Sequence, residues 1–160
     1  MAADIAKIEQ DIGRTLDQAA QIFWITGTLS EASIPSLYAA ATHYISTSLG
    51  EGFDLPMAEA AATGLQLIAP SHTAYLDYLN DEIAYLIPTK REPARFLHDV
   101  ALNNLFSGAH WWRPDEEALC AILSAVISGS TKPKTGAKDA VSAMTWSNTA
   151  RQLENLIFEE

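Results

Sequence analysis

Cysteine, positive charge and long apolar runs are all scarce in this chain, and each shortage removes a class of function. Cys120 is the only cysteine among 160 residues, so an internal disulfide is excluded, as is a cysteine-rich zinc site. It lies in an apolar helical stretch with no activating neighbour in sequence, which predicts a buried core thiol rather than a nucleophile. Lysine and arginine total 10 against 20 aspartates and glutamates, a formal net charge of −10. Such a surface repels phosphate backbones, so no nucleic-acid partner is expected. A ligand that carries phosphate must then be held by local donors or by positive charge from elsewhere. His43, His72, His98 and His110 are scattered without metal-ligand spacing, and no metal site is expected. No apolar stretch approaches the roughly 20 residues that cross a bilayer. The opening "MAADIAKIEQDIG" is polar and lacks the apolar centre of a signal peptide, which reads as cytoplasmic.

What is present fits a soluble globular domain: 48% of residues are hydrophobic and 19% charged, enough to bury a core. Ile5, Ile8, Ile12 and Leu16 recur at helical spacing and predict a helix over 3–18. "QIFWITG" (21–27) is apolar, partly β-branched and closed by Gly27, which predicts a short buried strand. A helix through Ile34, Leu37, Tyr38 and Ala41 follows, then strands at 43–48, 65–70 and 83–88 separated by helices at 56–63 and 73–79. Strands alternating with helices predict parallel βαβ units, an α/β fold of three layers with a short parallel sheet of about four strands flanked by helices. Residues 89–115 have no clean period and predict a surface excursion; within it, Lys90 and Arg91 predict a solvated turn. A helix is expected from Pro114, a flexible joint at 128–136 and a helical segment at 137–160 packing back on the 1–127 domain. Paired Trp111 and Trp112 predict an anchor for the long loop.

The chemistry gathers in "SLGEGFDLPMAEAAATG" (48–64), a loop leaving the carboxyl end of a predicted parallel strand, where α/β proteins bind ligands. Gly50 and Gly52 let backbone N–H groups approach a ligand closely. Pro56 at the start of the next helix leaves the remaining N–H groups of that turn directed outward, with the positive end of the helix dipole behind them. Those parts suit a phosphate or diphosphate. Glu51 would repel an anion, so its partner should be a hydroxyl; Glu59, about one turn inside the helix, faces another part of the same ligand. Phosphates flanked by hydroxyl-rich groups describe a nucleotide sugar. The plain alternative makes Glu51 a solvated loop residue and Glu59 a helix former. His72 stands at the ligand-facing end of a strand, and Ser71 or Thr73 is placed to cap the helix after it.

The order of these elements resembles the donor-binding half of retaining glycosyltransferases of family 4, which have the two-Rossmann-domain (GT-B) fold. Their mark is a glutamate, seven residues and a second glutamate, here Glu51 to Glu59 in "EGFDLPMAE". "ITGTLSEASIPSLYAAA" looks like the strand and tyrosine-bearing helix before that motif, "TGLQLIAP" like the strand after it, and "TWSNTARQLENLI" like the closing helix. The likeness is strong over 21–88 and weak over 89–135.

The resemblance implies transfer of a hexose, with retention of configuration, from a nucleotide diphosphate sugar to a glycan or lipid-linked acceptor in polysaccharide biosynthesis, without a separate cofactor. Glu51 would contact the donor sugar near its reacting carbon and act as the catalytic residue. The N–H groups of Gly52, Phe53, Asp54 and Leu55 would face sugar and diphosphate, and Glu59 would bind the ribose. Asp54 stands where glycine is common in such proteins. The family also implies an acceptor-binding domain ahead of this one and basic residues clamping the diphosphate; neither is recognisable here. The expectation is therefore a truncated donor-binding part, inactive alone, needing its missing domain or a partner chain and able to self-associate through an exposed sheet edge. Two other readings stand beside it: a non-catalytic interaction module that kept the fold, and a fragment of a GT-B-type nucleotide-sugar epimerase.

Overall fold

The computed structural model describes residues 2–18, 21–96 and 99–158, so His98 lies outside the described residues. The chain divides into two compact units, Met1–Glu31 and Ala32–Glu160. In the first, helix α1 (Ala2–Ile12) stops short of the predicted residue 18 because Gly13 turns left-handed, with φ 64°. The Glu9 carboxylate accepts the Leu16 N–H at 2.8 Å and ties down a following 3-10 turn, Leu16–Gln18. The strand expected at 21–27 is absent: residues 21–30 have neither helix nor strand, and Phe23 is 77% exposed. A strand exists through its ladder, and residues 21–27 belong to neither sheet among the described residues. Apolar composition alone does not supply a neighbour.

The second unit is built on three parallel strands rather than four: β1 (His43–Ile45), β2 (Gln66–Pro70) and β3 (Ala84–Ile87), in the order β1-β2-β3. Tyr44 stands beside Leu67, and Leu67 beside Ala84. Side chains alternate between the faces. Leu67, Ala69 and Ala84 enter a buried cluster with Met57, Ala60 and Ala61 of helix α3 (Leu55–Thr63) and with Ala137 and Val141 of α7 (Ala137–Ser142). Ile68, Tyr85 and Ile87 face the other way, onto Leu119, Ile122, Leu123 and Val126 of α6 (Glu116–Ile127). The result is helix, sheet, helix in three layers, with helix α2 (Ile34–Ala39) beside α3. On α3 the buried residues fall at i, i+3 and i+4, and the two alanines allow a close approach to the sheet.

Cys120 corrects the sequence reading: it is exposed. The apolar stripe of α6 runs through 119, 122, 123 and 126, and residue 120 lies off that stripe, about 100° around the helix from Leu119. The surface excursion also acquires structure. Strands β4 (Thr89–Pro93) and β5 (His110–Pro114) pair antiparallel, and helix α5 (Val100–Leu105) lies between them. Lys90 and Arg91 are therefore on a strand, not in a turn. Phe96 packs against Phe106 and Trp111, ring centroids 5.3 and 5.1 Å apart, so this lobe has a small aromatic centre of its own. Pro114 ends β5, and Asp115 caps α6 by accepting the Ala118 N–H at 2.8 Å. The chain's last described elements are α7 and α8 (Trp146–Phe158). Among the described residues, no helix is long and apolar enough to cross a membrane.

Candidate functional site

All three parallel strands run the same way, so the loops at their carboxyl ends share one edge of the sheet. The segment 46–54 leaves β1, helix α4 (Tyr75–Tyr78) follows β2, and the β4–β5 hairpin follows β3. The 46–54 segment is fastened to both of its neighbours. Ser46 Oγ lies 2.7 Å from the Tyr75 hydroxyl. His72 Nε2 donates to the Ser48 carbonyl at 2.9 Å, and the Trp112 N–H donates to the Leu49 carbonyl at 2.7 Å. Further on, the Tyr78 hydroxyl donates to the Phe53 carbonyl at 3.1 Å, and the Tyr75 hydroxyl donates to Asp54 Oδ2 at 2.6 Å.

Between those anchor points Gly50, Glu51 and Gly52 span open. The backbone N–H groups of Glu51, Gly52, Phe53, Asp54 and Leu55 donate to no acceptor among the described residues, and Pro56 has none to offer. Five successive donors without an acceptor among the described residues, along a loop pinned at both ends and the first residue of α3, form a ready anion- or oxygen-binding edge. Neither glycine of the span is required by the protein itself. Gly50 and Gly52 lack positive φ, and a Cβ on either would meet nothing within 4 Å. The side chains of Phe53 and Leu55 line a cleft of about 660 Å³ against α7 and α8. Thr47 and Leu49 line a smaller one of about 270 Å³ that also holds Arg113, whose Nε is 2.5 Å from Glu92 Oε1.

Glu59 lies on the solvent face of α3 and accepts the Tyr38 hydroxyl from α2 at 3.0 Å; the same hydroxyl reaches the Pro56 carbonyl at 3.2 Å. Tyr38 therefore fixes both the carboxylate and the first turn of its helix. The electrostatics place Glu51, Asp54 and Glu59 in one neighbourhood. Burial raises Tyr44 above the ordinary phenol value, and then all three carboxylates raise it further. Tyr78 is raised by burial and then chiefly by Asp54 and Glu51. Tyr38 is raised by burial and then by its bond to Glu59. Tyr75 is raised by burial and then by its bond to Asp54, with the Ser46 bond acting in the opposite direction. All four phenols remain protonated donors at neutral pH. Among the described residues, no group of three His, Cys, Asp or Glu side chains converges as a metal site would require.

The structure thus sets Glu51, Gly52, Phe53 and Asp54 on one loop, with Leu55 the first residue of α3, and turns Glu59 toward α2. His72, at the strand end, is a buried structural residue: it is 2% exposed, with Nδ1 2.8 Å from Thr73 Oγ1. Its ring lies edge-on to Tyr75 at 5.3 Å and stacked on Trp112 at 6.4 Å. Trp112 is accordingly an anchor between the hairpin and the loop. Ser71 and Thr73 do not cap α4, whose cap position is Ala74 with no side-chain bond; Thr73 instead adopts a positive φ of 38°, uncommon for a β-branched residue. Sequence reasoning did not single out Tyr75 and Tyr78. Their spacing of three places both on one face of α4, a signal visible in "TAYLDYL" once a helix is assigned there.

Layering, parallel strand order and a ligand-ready loop at the strand ends define a Rossmann-like α/β domain. The family model for "Glycosyl transferases group 1" matches residues 6–101, and the chain belongs to that family. No curated protein matches the chain.

Proposed function

We propose that this chain is the donor-binding part of a retaining glycosyltransferase, holding a nucleotide diphosphate sugar on the 46–59 segment for hexose transfer to a glycan or lipid-linked acceptor. The observation that carries this reading is the row of unengaged N–H groups from Glu51 to Leu55, bounded by two carboxylates suited to hydroxyls. In it the N–H groups of Gly52 and Phe53 receive the diphosphate. As the bond between the sugar's reacting carbon and the diphosphate breaks, negative charge grows on the leaving oxygen, and fixed N–H dipoles stabilise it without reorganising. Glu51 accepts hydrogen bonds from sugar hydroxyls beside the reacting carbon. Glu59, held by Tyr38, accepts those of the ribose, where a carboxylate binds a hydroxyl pair well. Transfer itself needs an acceptor held opposite the loop, by a further domain or a partner chain.

The three carboxylates around Tyr44 favour a second reading, an interaction module that binds no donor, because they oppose an anionic ligand. Saturation-transfer NMR of the 160-residue chain with uridine, guanosine and adenosine diphosphate sugars separates the two. The expected result is signal from one nucleotide that fades in Glu59→Ala, with ribose protons losing most. Absence of signal from all of them supports the interaction module and removes the donor reading.

A further inference from the structure

Asp54 stands at φ 63° and ψ 75°, a conformation that glycine adopts freely and aspartate tolerates better than most residues. Its carboxylate serves two donors from different elements. Oδ1 accepts the Met57 N–H at 3.2 Å at the amino end of α3, and Oδ2 accepts the Tyr75 hydroxyl at 2.6 Å. Because that phenol gives its proton to Asp54, the Ser46 hydroxyl, 2.7 Å away, donates to the Tyr75 oxygen. Ser46 opens the loop and Asp54 closes it, so one oxygen of a fully buried tyrosine holds both ends. The negative charge favoured at the start of a helix is supplied at α3 by the chain itself. A diphosphate arriving at that helix end would meet a carboxylate already seated there.

We propose that Tyr75 and Asp54 are positioning residues of the nucleotide-sugar shelf: the Tyr75 hydroxyl clasps Ser46 to Asp54, and the Asp54 carboxylate fills the amino end of α3, so the diphosphate is received by the N–H groups of Glu51, Gly52 and Phe53. The ligand assignment rests on the function proposed above; the clasp does not. The loop is then ordered before any ligand arrives, which lowers the entropy lost on binding. Asp54 also ceases to be an obstacle, since its charge is turned into the helix end and onto a hydroxyl.

Backbone ¹⁵N relaxation of the full chain without ligand tests the clasp. Wild type should show Glu51, Gly52 and Phe53 as ordered as Ile68 in β2, with order parameters near ~0.85. In Tyr75→Phe and Asp54→Ala the three loop amides should fall below ~0.6 while Ile68 is unchanged. Asp54→Asn should restore order, because asparagine keeps the cap acceptor, tolerates positive φ and offers an amide to the Tyr75 oxygen. If Tyr75→Phe does not fold, Ser46→Ala removes the same link from the other end. Loop order unchanged in folded Tyr75→Phe and Asp54→Ala would overturn the clasp and leave a purely structural pair. In the second arm, titration with uridine diphosphate or guanosine diphosphate should shift the Gly52 and Phe53 amides most, and Tyr75→Phe should weaken the fitted affinity about tenfold. Largest shifts at Met57 and Ala58 would overturn the filled helix end. If neither diphosphate binds wild type, the donor reading and the ligand assignment both fail, whereas relaxation still decides the clasp.

Discussion

Gly52 has no positive φ, and a Cβ placed on it would meet nothing within 4 Å, so the fold gives no reason for glycine there. Gly64, which ends α3, differs: its φ is 84°, and an alanine would carry a left-handed penalty of about 1–2 kcal/mol. Gly52→Ala should therefore leave the melting temperature unchanged while weakening nucleotide-sugar binding, because the added methyl stands where a ligand approaches the N–H row. A fall in melting temperature, or binding equal to wild type, would count against a ligand-driven glycine. The tyrosines make a second residue-scale prediction. Tyr38, Tyr44, Tyr75 and Tyr78 are raised above the ordinary value of 10.0 by burial and nearby carboxylates. The folded state keeps protons that the unfolded state releases above that value, so unfolding above it sheds protons. The stabilisation is complete below about pH 10 and is lost as pH rises toward the folded-state values. Urea midpoints should hold level to about pH 9.5 and drop steeply beyond it, with a shallower drop in Tyr75→Phe. A midpoint level through pH 11 would contradict the burial of these phenols.

At the scale of elements, what was legible in the sequence is what short-range order decides. The helix at Pro56 was readable because proline at its start and Gly64 at its end are local signals. β1, β2 and β3 were readable because each is a brief apolar run between helices. Residues 21–27 have the same composition and form no strand, since composition carries no information about the neighbour a strand needs. The β4–β5 hairpin was missed for the opposite reason: "TKREP" is charged, and its ladder partner lies about 20 residues on, beyond α5. The site divides along the same line. Glu51 and Glu59 could be placed on loop and helix from spacing alone. The bond between Tyr38 and Glu59 joins residues 21 apart, as does that between Tyr75 and Asp54, and such contacts depend on how α2 and α4 pack, which no local pattern encodes. Cys120 was misplaced because an apolar helical run does not say which neighbours of the stripe face solvent.

For the molecule as a whole, the formal charge of −10 and the carboxylates around the loop set the field that the proposed anionic donor would cross. In the proposed site, binding would rely on backbone N–H groups, which are short-ranged dipoles, against a net field that opposes approach. Salt screens that opposition: the Debye length falls from roughly 30 Å at 0.01 M to roughly 8 Å at 0.15 M. Affinity for a nucleoside diphosphate should therefore hold steady or improve as sodium chloride is raised across that range, measured by titration calorimetry at pH 7.5 with the base selected in the NMR comparison. A site whose affinity comes from lysine and arginine behaves the other way, losing strength as its own attraction is screened. Severalfold weakening in salt would mean that Arg113, beside Thr47 and Leu49, or another cation supplies the dominant contact, and the N–H row would become secondary. Constant or improving affinity would leave the backbone of Glu51 to Phe53 as the source of binding. For the proposed transfer, positive charge would then come from the further domain or partner chain proposed to hold the acceptor.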